Sequence, residues 1–307
     1  MSTESKKLIL VIGATGAQGI AVIDGLLAPS ADGSPSPYAV RALTRDPYSR
    51  RAVELSRKGV ECVEGAFDNF ESVALAMKGV YGAWVNTDGF TVGEQKEIYA
   101  GMRIFEIAKQ AGTLRHYIWS NLDYSLKAMF GPLNRREDGT FVFATPVGNG
   151  HVPMIALSDI GFFARYTFDH RAETSGQELC ITSDIVSWEY LVSTFKKVTG
   201  ENAVVVYQSL DEWFANFNGA DKPVANERPK GDGSTTWRQN FTGWWAMWRD
   251  NLIQRDMDWI RKINPNTKSL ETWMREVQYD GRIGGDLLKN SEDKKAVALD
   301  RERIALL

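Results

Sequence analysis

The sequence predicts an α/β protein: a Rossmann-type doubly wound parallel sheet followed by a smaller, mainly helical C-terminal domain. Three observations carry this. Short apolar, β-branched runs alternate with helical-period stretches over the first 120 residues, which is the pattern of βαβ units. A glycine-rich turn joins the first run to the first helix. After Trp119 the alternation stops.

Strands are expected at residues 8–12, 38–43, 60–63, 81–85 and 116–119. Most are nearly continuous in apolar residues, as strands covered on both faces should be. Between them, Ile20, Ile23 and Leu27 recur at helical spacing, as do Ile98, Met102, Phe105 and Ala108 in a helix that closes at Gly112. Residues 28–37, with a Gly and three prolines, form a surface loop. Residues 121–140 supply at most one short helix near 123–130, broken by Gly131-Pro132, and 141–145 read as the arm of a hairpin or small mixed sheet. Ser187 is an N-cap for a helix with Leu191, Phe195 and Val198 on one face before Gly200. A strand at 203–207, a short helix at 211–214, a loop at 222–236 and a long helix over 241–263 follow. Trp244, Trp245, Trp248 and Trp259 on that last helix are expected to pack as core or domain interface. The domain boundary is placed at Lys127, giving 1–127 and 128–307.

The totals narrow the function classes. A chain of 307 residues with 43% hydrophobic and 24% charged residues is an ordinary globular composition. The formal charge of -3, with no concentrated block of Lys and Arg, argues against direct nucleic-acid binding. Cys62 and Cys180 form neither a CxxC pair nor a metal-ligand spacing, so no disulfide framework or metal site is expected. The apolar run after the polar N-terminus covers only residues 8–12, too short for a secretory leader or a membrane span. The expected location is cytoplasmic, with a nuclear one left open.

The chemistry begins at Gly13-Ala14-Thr15-Gly16-Ala17-Gln18-Gly19. An apolar strand running directly into spaced glycines and a periodic helix is what a pyrophosphate cradle requires. Gly13 permits the turn, Gly16 lets backbone N–H groups approach phosphate, and Gly19 lets helix pack closely on strand. A ribose selector belongs at the end of the second strand, where the sequence reads Leu43-Thr44-Arg45-Asp46. Arg45 offers a permanently charged planar fork to a 2′-phosphate, with Arg50 and Arg51 one turn further on, so NADP(H) is expected over NAD. Asp46 is read as an N-cap for the helix after Pro47. Asp68 and Asn69 end the third strand, where Asp68 serves either an adenine amine or a helix cap. Asn86 and Thr87 follow the fourth and should line the cofactor cleft.

An acid/base constellation is less marked. Tyr124 and Lys127 lie three apart, close enough to be neighbours on a helix, and a Lys beside a phenol favours proton transfer; a surface Lys and half-buried Tyr is the plainer reading. Ser120 stands at a strand end where it could bond a substrate oxygen. His116 reads as a strand start, His151 as a turn residue with a structural hydrogen bond, and His170 as a helix-end residue.

The residues quoted above, with Gly65-Ala66-Phe67-Asp68, Ile118-Trp119-Ser120-Asn121-Leu122 and the C-terminal runs Gly148-Asn149-Gly150-His151-Val152-Pro153 through Ser158-Asp159-Ile160-Gly161 and Asn240-Phe241-Thr242-Gly243-Trp244-Trp245, resemble the NmrA-like family, chiefly its fungal members. The resemblance covers essentially the whole chain. It implies a Rossmann domain binding NADP(H) in proteins that are redox-sensing regulators or reductases, some of them in secondary metabolism. It also implies a departure: after Lys127 this chain lacks a family helix and strand, on the order of 40–50 residues and longer than a minimal crossover. Three functions stay open: a regulatory NADP(H) binder, an NADPH-dependent reductase of a small carbonyl, imine or enone, and a degenerate form that binds cofactor poorly. Loss of that segment predicts exposed apolar surface, which a protein partner or a second copy would cover.

Overall fold

The computed structural model describes residues 5–120, 130–225, 235–282 and 298–307. They fall into two compact units. The first comprises the described part of residues 1–122 together with Ile160–Leu179; the second comprises the described parts of 123–159 and 180–307.

The first unit is a five-stranded parallel sheet in the order β3-β2-β1-β4-β5, made of β1 (Lys7–Ile12), β2 (Tyr38–Thr44), β3 (Glu61–Glu64), β4 (Gly82–Val85) and β5 (His116–Trp119). Each expected strand is present, with bounds displaced by no more than a residue. The order reverses between β1 and β4, so their carboxyl ends form the crevice in which open α/β sheets place ligands. Helices α1 (Ala17–Leu27), α2 (Arg50–Arg57), α3 (Phe70–Ala76), α4 (Gly89–Val92) and α5 (Glu94–Gln110) connect the strands. Ile9, Val11, Val22, Ile23 and Leu26 pack on one side of the sheet, and Leu10, Ile12, Val73, Ile104 and Ile107 on the other.

α5 corrects one expectation. Its core side is Ala100, Ile104, Ile107 and Ala108, whereas Ile98, Met102 and Phe105 are exposed. The helix is apolar on two faces, and spacing alone does not say which one meets the sheet.

Helix α6 (Leu157–Asp169) brings residues 160–169 back onto the first sheet, where Ala164 and Phe168 join Ile9 and Val11 in the core. Backbone packs against backbone where α1 meets this segment. A methyl at Gly25 would collide with the Gly161 carbonyl oxygen, and one at Gly161 with that of Ala21. Arg165 secures the crossing by donating to the Leu26 and Ala28 carbonyls, both at 3.1 Å, and Tyr38 donates to Asp169 at 2.7 Å. A short helix α7 (Arg171–Thr174) follows.

In the second unit β7 (Phe141–Thr145) pairs antiparallel with β6 (Asn134–Arg135) and parallel with a strand at Ala203–Tyr207, a mixed sheet. Two-stranded pairings join β8 (Val152–Met154) to β9 (Asp184–Val186), and Phe217–Asn218 to Ala298–Leu299. Helix α8 (Trp188–Thr199) starts at Ser187, whose hydroxyl accepts from the Tyr190 N–H at 3.2 Å, and stops at Gly200 with φ +75°. α9 (Leu210–Phe214) starts at a Ser209–Glu212 capping box.

The long helix expected over 241–263 is two helices, α10 (Trp237–Arg249) and α11 (Met257–Ile263). Asn251 turns the chain with φ +49°, and Asp256 restarts it by accepting from the Trp259 N–H at 2.9 Å. α12 (Leu270–Glu276) and α13 (Arg301–Ile304) complete the described helices. The tryptophans pack: Trp188, Trp213, Trp245 and Trp248 are fully buried, Trp213 lies edge-on to Trp245 at 4.9 Å, and Phe130 joins Trp188 and Trp245. Tyr124, Lys127 and the short helix expected around them lie outside the described residues.

Candidate functional site at the carboxyl edge of the first sheet

The site grows from the turn between β1 and α1. Gly13 takes φ +81°, a conformation side chains disfavour, and a Cβ there would stand 2.8 Å from the Asn86 carbonyl oxygen. Gly19 allows α1 to lie on the loop itself, since a methyl would collide with the Gly13 carbonyl and come within 2.7 Å of the Ala14 backbone. Gly16 differs. A Cβ there meets only the Gly13 oxygen, at 3.2 Å, so what this glycine keeps clear is the space in front of α1.

That helix end is electrostatically open. Gly16 occupies the N-cap with no side-chain cap, the first turn holds no acid, and Ile20 is the first residue whose N–H reaches a helical carbonyl, that of Gly16 at 3.0 Å. The first-turn N–H groups and the positive end of the helix dipole thus face the crevice, an arrangement suited to an anion.

Two long-range contacts hold the loop. Arg51, buried at the start of α2, donates to the Thr15 carbonyl at 3.0 Å. Ser120, just past β5, donates to the Gln18 side chain at 3.1 Å, joining two expected site residues 102 positions apart. Sequence reading assigned Arg51 only to a nearby basic group; its grip on the loop had no signal beyond charge.

The remaining residues sort as follows. Arg45 is exposed immediately after β2. Asp46 does not cap α2, contrary to expectation: its carboxylate accepts from the Tyr48 N–H at 2.8 Å in an Asx turn, and Ser49 is the N-cap. Asn69 caps α3 by accepting from the Ser72 N–H at 3.1 Å, which leaves the exposed Asp68 outside that cap. Asn86 lies against Gly13, and its N–H donates to the Ile12 carbonyl at 3.2 Å. Thr87, buried, donates to Glu97 at 2.7 Å, and the Glu97 carboxylate sits against Gly89. Nothing in the sequence flagged Glu97.

The histidines are structural. His116 is buried edge-on to Phe168 at 5.4 Å, and burial, helped by Arg171, holds its pKa below the ordinary value. His151 meets Asn251 through both its ring, at 3.2 Å, and its N–H, at 3.1 Å. His170 follows α6, with its ring nitrogen 3.1 Å from the Tyr166 carbonyl. Among the described residues no cluster of three His, Cys, Asp or Glu could hold a metal ion, and no helix is long and apolar enough to cross a membrane.

Comparison with known proteins bears on the fold. The NmrA-like family profile matches residues 5–129. The NmrA-like family domain-containing oxidoreductase notA of an Aspergillus species is 35% identical over 126 residues, 39% of this chain and 35% of its own length. The corresponding oxidoreductase malD of Malbranchea aurantiaca is 25% identical over 270 residues, 68% of this chain and 77% of its own. The chain therefore spans about a third of the length of notA. In the malD alignment, 68% of 307 is about 209 residues set against 270 positions, so about 60 positions are occupied by the relative alone. Among solved structures, the crystal structure of NmrA, a negative transcriptional regulator, in complex with NADP has the same architecture: TM-score 0.66 and 18% identity over 89% of this chain and 96% of that one. A complex of NmrA with NAD gives a TM-score of 0.68 at 19% identity.

Proposed function

We propose that this chain, whose residues 5–129 match the NmrA-like family profile, binds NADP(H) at the carboxyl edge of the first sheet and acts as a redox-sensing or regulatory binder with weak or no catalysis. The observation that carries the cofactor reading is the open, acid-free N-terminus of α1, framed by the three glycines. First-turn N–H groups from Ala17 to Gly19 would take the pyrophosphate, Arg45 the 2′-phosphate, Asp68 and Asn69 the adenine side, and Asn86 and Thr87 the path toward the nicotinamide. Arg51 acts through the Thr15 carbonyl and fixes the loop's shape. The NmrA complexes with NADP and with NAD support a dinucleotide on this fold. A cytoplasmic location and a protein partner belong to the same proposal.

The second reading is an NADPH-dependent oxidoreductase of a small carbonyl, imine or enone, favoured by the oxidoreductase names of the fungal relatives. Tyr124 would supply the proton and Lys127 would stabilise its phenolate. Cofactor chemistry would then be hydride transfer. NADPH fluorescence on mixing, followed by NADPH oxidation assays across carbonyl, imine and enone panels, separates the two. Binding without turnover supports the regulator; turnover abolished by Tyr124→Phe supports the enzyme. Absence of binding refutes both.

A further inference from the structure

One hydrogen bond crosses the crevice at the carboxyl edge of the first sheet. β4 lies between β1 and β5, and the pairings Ile12↔Val85 and Val85↔Trp119 bring the three strand ends level. The next residues are tied down there too: the Asn86 N–H donates to the Ile12 carbonyl at 3.2 Å, and the Ser120 N–H to the Val85 carbonyl at 2.9 Å. Gln18, in the first turn of α1, reaches over from the β1 side, and its Oε1 accepts from the Ser120 hydroxyl at 3.1 Å. The bond therefore spans the end of β4, where Asn86 lies against Gly13. Both Gln18 and Ser120 are half-buried, so the bond is open to exchange with a ligand. Gln18 also contributes one of the first-turn N–H groups that face the crevice. Its backbone marks the anion seat, and its side chain marks the line from that seat toward β5. A dinucleotide with its adenine on the β2–β3 side and its pyrophosphate at α1 carries its nicotinamide half along that line.

We propose that the Ser120–Gln18 hydrogen bond is a latch over the nicotinamide half of the crevice, which a seated dinucleotide displaces. The latch rests on the NADP(H) reading and adds a means of regulation to it. The bond has to be given up before a ring reaches the ends of β4 and β5, so it opposes the nicotinamide half and leaves the adenine half alone. A neutral hydrogen bond is weak enough for a ligand to break and strong enough to change affinity about two- to tenfold. Its opening frees Ser120, the residue at which the chain leaves β5. Occupancy by a whole dinucleotide is thereby passed to the segment after the sheet, whereas a fragment that stops at the pyrophosphate leaves the latch shut.

Calorimetric titration of the full chain with NADPH and with adenosine 2′,5′-bisphosphate, which carries the adenine half alone, tests the latch. Ser120→Ala should tighten NADPH about two- to tenfold and leave the bisphosphate within about twofold, which also shows that the variant is folded. Introduced into a Gln18→Leu background, Ser120→Ala should give no further gain, because the two side chains act as one contact. NADPH binding left unchanged by Ser120→Ala, with both ligands still bound, overturns the latch and leaves the cofactor reading standing. Weakened NADPH binding overturns it as well and makes Ser120 a ligand contact. Equal tightening of both ligands, or a gain that persists without Gln18, also overturns it. Failure of the unaltered chain to bind either ligand refutes the cofactor reading and the latch together.

Discussion

Around the glycine loop, polar side chains close on backbone and on one another: Arg51 on the Thr15 carbonyl, Ser120 on Gln18, Thr87 on Glu97. In the second unit the centre is instead a set of rings, with Trp213, Trp237, Trp245 and Phe241 in successive contact. Polar ties there lie outside the rings, as at buried Asp159, which accepts from Ser183 at 2.5 Å, from Asn264 at 3.2 Å and from the Lys268 N–H at 3.1 Å. The first arrangement fixes the position of a few atoms. The second fills volume. Substitutions on the crevice side of the loop should therefore change binding with little change in stability, those on its packed side should change both, and substitutions among the rings should change stability alone.

The largest effect is expected from the rings. Trp245→Ala should cost about 3–5 kcal/mol of stability, read by denaturant titration, while the folded protein's NADPH affinity stays within about twofold, well under the tenfold that 1.4 kcal/mol represents. A large affinity loss in the folded protein would break the contrast.

The two helix-side glycines sharpen it from the other end. Gly19→Ala forces a methyl into the Gly13 carbonyl and should cost about 1–3 kcal/mol along with most cofactor affinity. Gly16→Ala meets only one oxygen at 3.2 Å, so its melting temperature should barely move while NADPH affinity falls at least about tenfold. Equal melting losses for the two variants, measured side by side by differential scanning calorimetry, would contradict the division of roles.

Arg51→Lys should have an effect of similar size. Losing the guanidinium bond to Thr15 should remove about 1.5–3 kcal/mol and weaken NADPH and NADH alike, because the loop serves both. Selective loss of NADPH in fluorescence titrations would instead make Arg51 a direct phosphate ligand.

His116 should give the smallest effect. Its folded-state pKa is held below the ordinary value of about 6.5, first by burial and then by Arg171. The unfolded chain therefore binds the proton more readily, so the stabilisation is full above about pH 6.5 and is lost as the pH falls below it. The melting temperature should drop between about pH 7.5 and about pH 5.5, and His116→Phe should flatten the drop. Parallel curves for the two proteins would exclude His116 as the source.

What the sequence made legible follows the same contrast. Strands buried on both faces are written as continuous apolar runs, and all five in the first unit lie within a residue of their expected bounds. The glycine loop was legible because φ +81° at Gly13 and the close packing at Gly19 demand the residue itself. α5 misled because Ile98, Met102 and Phe105 have the spacing of a core face, yet the sheet takes Ala100, Ile104 and Ile107. The break between α10 and α11 carries neither Gly nor Pro; Asn251 and Asp256 make it with local backbone geometry that a long aromatic periodicity masks. Arg51 to Thr15 and Ser120 to Gln18 span 36 and 102 positions, and only the folded sheet brings them together.

NADP(H) binding at the edge formed by Gly13–Gly19 and Arg45 is the proposal on which this contrast rests. Paired calorimetric titrations of NADPH and NADH into the unaltered chain and into Arg45→Glu test it most directly. NADPH should bind more tightly than NADH to the unaltered chain, and Arg45→Glu should weaken NADPH at least about tenfold more than NADH, the ~1.4 kcal/mol expected of a lost charge-assisted contact. Equal losses for the two nucleotides, or no binding of either to the unaltered chain, would contradict it.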